Sequence, residues 1–444
     1  MNSLNPLSSL RSLSRTVLSP LRRALVPATV LALAGGVLAP VATAAPASVA
    51  GSLPAALVDA GEPAGTAAPN EENPDWSGLD VTGGVALPDR VGEPVGDVAL
   101  NPDLGLGSAG TQRRFVYSTV DQHGDVAAST AAVFLPQGPA PKGGWPVLAW
   151  AHGTVGLGDE CTPSALPRSA RDADYLQHWL DQGYAVVASD YVGMGTPGLM
   201  SYLNGQVSAA NVIDSVAAAR SLESVGASLS SSWAVIGQSQ GGGAALHVAH
   251  AATERSRELG LDYRGAVSTG APAYVEEVVL AGSPSFPPVV LPTGLNVYTA
   301  YILAGFREAH PEIDVDSVLS DEGRRITDMA ETACYSSLAD ALDGVGMSRA
   351  FTAPVSSVPG LEPALRSYMA TPTDGYDKPV FVGHGMRDLD VPTPIGVMLN
   401  SQMWINQFAG SNEQVDVHWY DEDHSGAMVA SMADSTPFLR SLFA

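Results

Sequence analysis

The pentapeptide Gly237-Gln238-Ser239-Gln240-Gly241 sets a serine between two glycines in a Gly-x-Ser-x-Gly pattern. An apolar run from Trp233 to Gly237 precedes it, and a helix-forming stretch from Gly242 to Arg255 follows. Strand, sharp turn, helix is the context in which such a serine becomes a nucleophile. The glycines let strand and helix pass close to a strained serine backbone. The chemistry would be acyl transfer. A serine hydroxyl is a weak nucleophile at neutral pH, so it needs a histidine to take its proton and a carboxylate to orient that histidine.

Around a turn of this kind the partners follow in the chain order serine, acid, histidine. Of nine histidines, only His418 and His424 lie beyond the next candidate acids. His418 falls inside an alternating strand and is expected to pack there. His424 follows that strand in Asp421-Glu-Asp-His-Ser-Gly426, on an expected loop that can reach the serine. The acid is expected just past the strand that begins at Val380. Asp388 stands at that turn, with Asp390 as the alternative. The tetrahedral intermediate also needs two preorganised N–H donors. The backbone of Gln240, directly after the nucleophile, is one. Thr154 in His152-Gly153-Thr154, after an earlier apolar strand, is the other.

Other clusters read as structure. His247 and His250 lie three apart on a helix, but no further ligand completes a metal set. Asp421-Glu422-Asp423 reads as a solvated acidic turn rather than a calcium site. Gly193-Met-Gly195 lacks the third glycine and the helix of a dinucleotide fingerprint. No metal and no cofactor are expected.

These residues need a scaffold. A hairpin is expected from Arg114–Thr119 and Ala127–Leu135, followed by apolar strands at Pro146–Ala151, Tyr184–Ser189, Trp233–Gly237, Arg264–Ala271, Pro379–His384 and Val415–Tyr420. Helical patterns alternate with most of them, near 170–182, 207–222, 395–408 and 426–442. Such alternation predicts an α/β fold: a mostly parallel central sheet covered by helices on both faces. Residues 273–370 break the alternation and read as a mainly helical insertion, placed as a lid.

The first 44 residues carry Arg11, Arg15, Arg22 and Arg23, then an apolar stretch, then Ala42-Thr43-Ala44. This is the pattern of a secretory signal peptide cleaved near Ala44. Residues 45–111 are rich in Ala, Pro and Gly and read as a leader or propeptide-like segment, which leaves 112–444 as the catalytic domain. The full chain carries 46 acidic and 22 basic residues, a net charge of −24. That balance argues against nucleic acid and anionic membranes as partners. No other stretch is long and apolar enough to span a bilayer, so the secreted chain is expected to be soluble and monomeric. An even pair of cysteines, Cys161 and Cys334, argues for one disulfide in an oxidising compartment.

Taken together, Tyr117-Ser-Thr, His152-Gly-Thr, Asp159-Glu-Cys161-Thr-Pro-Ser, Asp190-Tyr-Val-Gly-Met-Gly, Gly237-Gln-Ser-Gln-Gly-Gly, Gly383-His-Gly-x-x-Asp388-x-x-Val-Pro and Asp423-His424 resemble the secretory lipase family. The resemblance covers roughly 112–444. It implies an α/β-hydrolase fold with a helical lid, cofactor-free ester hydrolysis, Ser239, Asp388 and His424 as a triad, and pairing of Cys161 with Cys334. Its substrate would be a small or lipid ester; the alternative is a carboxylesterase acting on short soluble esters or polyesters. A peptidase is disfavoured, because nothing is recognised that would grip a peptide terminus. A catalytically inactive binding protein is the remaining alternative, and the intact Ser, Asp, His set argues against it.

Overall fold

The computed structural model describes residues 79, 81, 83–285 and 292–444. The expected signal segment and most of the expected leader lie outside them.

Nine strands form one sheet: β1 (Pro94–Ala99), β2 (Ala109–Val120), β3 (Val126–Pro136), β4 (Trp145–Ala151), β5 (Ala185–Ser189), β6 (Leu229–Gln238), β7 (Asp262–Thr269), β8 (Val380–Gly385) and β9 (Val415–Tyr420). Their spatial order is β1-β2-β3-β5-β4-β6-β7-β8-β9. The first pairings, β1 with β2, β2 with β3 and β3 with β5, are antiparallel. Every pairing from β5 to β9 is parallel.

The central stretches of the parallel strands, Val147–Ala151, Ala185–Ala188 and Trp233–Ile236, are apolar on both faces because both are covered. On one face Val147, Ala149, Val187 and Val235 join the cluster containing Val212 and Ile213 of helix α2 (Gly205–Ser221) and Leu246 and Val248 of α3 (Gln240–Glu258). On the other, Leu148, Trp150, Val186 and Ile236 pack with Leu176 and Trp179 of α1 (Ala170–Asp181) and with Met428 and Leu439 of α10 (His424–Leu442). Side chains cap these helices where the sequence supplies them. The Ser169 hydroxyl accepts from Asp172 N at 3.2 Å, and Asn204 Oδ1 accepts from Val207 N at 3.3 Å.

The sheet begins N-terminal to the expected domain start at residue 112. β1 lies within the segment read as a leader, and Ala99 pairs with Arg113. Its Pro94 and Gly96 hide a strand pattern, and an edge strand tolerates both.

Between β7 and β8 the described residues form α4 (Val275–Leu280), α5 (Thr293–Ala309), α6 (Asp321–Ala330), α7 (Tyr335–Leu342) and α8 (Leu361–Met369), with two isolated bridges, Leu319–Phe351 and Cys334–Gly156. Helices α4 to α8 lie within residues 273–370, the stretch read from the sequence as a mainly helical insertion. Helix α9 (Thr393–Phe408) then leads to β9.

Candidate active site

Ser239 sits between β6 and α3 with φ 58° and ψ −126°, a left-handed backbone rare for a residue with a side chain. Its N–H donates to Thr269 O on β7 at 2.9 Å, which fixes the turn against the neighbouring strand. The flanking glycines are steric requirements. A Cβ on Gly237 would lie 2.0 Å from Gly241 O, and one on Gly241 would lie 1.8 Å from Ala151 O at the end of β4. Gly242 is equally confined, 2.5 Å from Thr269 O.

Asp388 and His424 follow the last two strands, β8 and β9. Asp388 is buried in the loop after β8. Its Oδ1 accepts from Asp390 N at 3.0 Å and Val391 N at 2.8 Å, while Oδ2 bonds His424 Nδ1 at 2.7 Å. His424 Nε2 is buried and has no hydrogen-bond partner among the described residues. The loops that carry the pair are joined: Met386 N donates to Tyr420 O at 2.7 Å and Arg387 N to Glu422 O at 2.9 Å. Arg387 also pairs with Asp421 at 3.2 Å. The acidic turn therefore draws the two loops together.

His424 is not on a loop, as the sequence suggested. It is the first residue of α10, capped by Asp423 Oδ1, which accepts from Gly426 N at 2.7 Å. Helix formation is strong enough here that the expected start near Gly426 moves back to His424. The other acid candidate, Asp390, accepts instead from Tyr298 of α5 at 2.9 Å. Although donor atoms of Asp388, Asp390 and His424 lie within 4.8 Å of one another, the hydrogen bonds divide them into a His–Asp pair and a Tyr–Asp pair.

The loop after β4 closes the site. A Cβ on Gly153 would lie 3.5 Å from Ser239 Cβ and 3.0 Å from Gln238 Oε1. His152 is buried, and burial lowers its pKa so that it stays neutral. Its Nδ1 donates to Gly153 O at 2.7 Å, stiffening the turn. Thr154 bonds Tyr202 OH through Oγ1 at 2.6 Å. Gln240 opens α3, so its N–H has no acceptor within the helix. Gln240 directly follows Ser239 in the chain, and Thr154 lines the same cavity as Ser239.

A cavity of about 330 Å³ is lined by Ser239, His424, Thr154, Tyr298, Tyr335 and Arg168, among others. Cys161 and Cys334 form a disulfide on its wall, with Cα atoms 5.5 Å apart. Beside it Tyr335 N donates to Val155 O at 2.9 Å, so α7 is fastened to the loop after β4.

Three positions that the sequence did not single out matter here. Gly270, at φ +57°, lies under the His–Asp pair, where a Cβ would come within 2.8 Å of His424 Cε1. His384 lies 3.7 Å from Asp388 and could compete for it. Burial lowers its pKa, and as a neutral ring it donates from Nε2 to Val391 O at 3.1 Å. Arg168 lines the cavity. A glycine after a strand and an arginine before a helix carry no distinctive spacing. Two other histidines behave as packing residues: His418 stacks on Phe381 at 4.5 Å, and His247 is wedged against Gly205.

A largely parallel sheet with helices on both faces, a serine on a strained strand-to-helix turn and a helical insertion before the last strands define an α/β-hydrolase fold. Solved structures agree. Candida antarctica lipase A is similar at 18% identity, over 80% of this chain and 82% of that one, with a TM-score of 0.64. The rice cell wall degrading esterase LipA from Xanthomonas oryzae matches at 19%, over 80% and 98%, with 0.63. A putative hydrolase from Legionella pneumophila matches at 17%, over 79% and 98%, with 0.65. At such identities these likenesses establish the fold. No curated protein matches the sequence significantly. The secretory lipase family matches residues 169–359, in line with the resemblance read from the motifs, and gives the chain its class, a carboxylic ester hydrolase. The matched span contains Ser239 and most of the insertion and ends before Asp388 and His424.

Proposed function

We propose that this chain is a secreted lipolytic ester hydrolase working through Ser239, Asp388 and His424 and an acyl-enzyme. The observation that carries the reading is the buried His424–Asp388 hydrogen bond beside a serine held at φ 58°. Asp388 accepts the Nδ1 proton, which leaves Nε2 as the basic nitrogen. On substrate binding, His424 Nε2 takes the Ser239 proton as Oγ attacks the ester carbonyl. The resulting oxyanion lies against the N–H groups of Gln240 and Thr154. Collapse expels the alcohol, which leaves with the proton from His424. Water, activated by the same nitrogen, then attacks the acyl-enzyme, and the acid departs as Ser239 regains its proton.

The insertion acts as the lid in this reading, since Tyr298 and Tyr335 stand over the cavity. The disulfide pins one side of it, so opening would take place on the α5 side, at the Tyr298–Asp390 bond. Export is supported by the disulfide and by the name of the matched family. No helix among the described residues is long and apolar enough to cross a membrane. An insoluble ester is favoured over a short soluble one by α9, which has no charged residue and exposes Val397, Trp404, Ile405 and Phe408 on one face.

Hydrolysis of p-nitrophenyl esters from two to sixteen carbons, by wild type and Ser239→Ala, tests the proposal. Activity that peaks at long chains and disappears in the variant is expected. Undiminished turnover by Ser239→Ala would overturn the mechanism, and a short-chain optimum would replace lipase with esterase.

A further inference from the structure

Arg168 precedes α1 and lines the same cavity as Ser239 and His424. Its guanidinium stands over the Phe134 ring, 5.3 Å from the centroid. Its Nε is buried without a partner, and no hydrogen bond or ion pair to its other nitrogens exists among the described residues. The two carboxylates nearest in charge are engaged elsewhere. Asp190 accepts from Thr130 Oγ1 at 2.6 Å and from Ser164 N at 2.8 Å. Asp172 pairs with Arg171 at 2.9 Å, and Arg171 in turn donates to Ser425 Oγ at 2.8 Å. On the far wall Asp390 is bonded to Tyr298. Every other charged side chain of the cavity therefore has a partner. Desolvation makes the charged form of Arg168 less favourable, and the nearby charges of Asp190 and Asp172 offset this only in part.

A planar guanidinium presents paired donors that match a carboxylate, and a buried cation without such a partner is costly. We propose that Arg168 is a specificity-determining residue that binds a carboxylate carried by the ester substrate, so that the preferred substrates include half-esters of dicarboxylic acids or acylated hydroxy acids. The inference rests on the ester-hydrolase reading above. It adds no chemical step: the carboxylate is held, and the ester elsewhere in the molecule is cleaved.

Two matched pairs separate the acyl side from the alcohol side. They are mono-p-nitrophenyl glutarate against p-nitrophenyl pentanoate, and the butyrate ester of a hydroxy acid against that of its amide. The readout is the ratio of kcat/KM for the anionic to the neutral member, whatever happens to the neutral rate itself. Arg168→Gln is expected to lower that ratio about 10- to 100-fold for one pair, mainly through KM, the range of a charged hydrogen-bonded contact. Arg168→Lys, which keeps the charge and loses the fork, should fall between. Binding is read independently by the thermal shift that free glutarate gives wild type, which should vanish in Arg168→Gln. Unchanged ratios in both pairs, or an equal glutarate shift in both proteins, would overturn the proposal. If wild type cleaves no ester but binds glutarate through Arg168, the hydrolase reading fails while the carboxylate site stands.

Discussion

The turn at Ser239 and the insertion between β7 and β8 both shape the cavity, yet they are held in different ways. At the turn, geometry is fixed by neighbours in sequence and by excluded volume. Gly237 and Gly241 leave no room for a side chain, and Ser239 N is tied to the adjacent strand. The insertion is held at a few points by residues far apart in the chain. These are the Cys161–Cys334 disulfide, spanning 173 residues, the Tyr335–Val155 backbone bond and the Tyr298–Asp390 hydrogen bond. The sheet side therefore offers a rigid reaction frame, and the insertion a wall attached by a small number of pins. Positions on the frame should control rate, and positions on the wall should control stability and access.

The neighbouring aspartates give the sharpest contrast, because one faces the frame and the other the wall. Asp388→Asn should lower kcat by about 10,000-fold, the scale of losing the histidine's orienting carboxylate in a triad. Asp390→Asn should cost less than about tenfold, since Asp390 bonds Tyr298 and not His424. Steady-state kinetics on one ester checks both, and a larger loss at Asp390 would reverse the assignment of the acid.

Removing the pin comes next. Cys161→Ser combined with Cys334→Ser should reduce unfolding free energy by about 2–5 kcal/mol, the usual range for a disulfide closing a long loop. Denaturant unfolding measures it. Activity of the protein that remains folded should change far less than in Asp388→Asn.

Gly270→Ala probes the frame through sterics alone. The added methyl meets His424 at 2.8 Å from a backbone with φ +57°. A shift of the imidazole by that contact should lower kcat about 10- to 100-fold, with KM little changed. Substitution at Gly410, which has positive φ but no atom within 4 Å of an added Cβ, supplies the control for backbone strain without the histidine contact.

A further effect lies behind the turn and appears as a pH dependence. Burial, with His250 adding to it, holds the His247 imidazole down at about 4. The unfolded chain binds the proton more readily, so this contribution is fully present above pH 6.5 and is lost as pH falls toward 4. Its size is at most about 3 kcal/mol. Urea unfolding between pH 4 and 7 should show a shallower slope for His247→Gln than for wild type.

The same contrast explains what the sequence disclosed. The strands from β4 onward and the helix after Ser239 were legible because both sheet faces are buried, which leaves continuous apolar runs such as Val147–Ala151 and Trp233–Ile236, and because Gly-x-Ser-x-Gly is a local steric code. The chain order of serine, acid and histidine narrowed the partners to Asp388 or Asp390 and His424. The hydrogen bonds then divide the two acids, which lie two residues apart in the chain. β1 was hidden by Pro94 and Gly96, and the start of α10 by an acidic turn whose last member, Asp423, is its cap. Gly270 and Arg168 could not be found from spacing. Their roles come from what the fold brings beside them, His424 in one case and an open cavity in the other.

The most direct test of the account is to trap the acyl-enzyme. Wild type and Ser239→Ala would be mixed with excess p-nitrophenyl ester, quenched within the first turnover and examined by peptide mass spectrometry. The account predicts a burst of p-nitrophenol approaching one per enzyme molecule, with the acyl mass on the peptide containing Ser239 and neither signal in the variant. Steady hydrolysis by wild type with the acyl group on another residue, or a burst that survives Ser239→Ala, would contradict it.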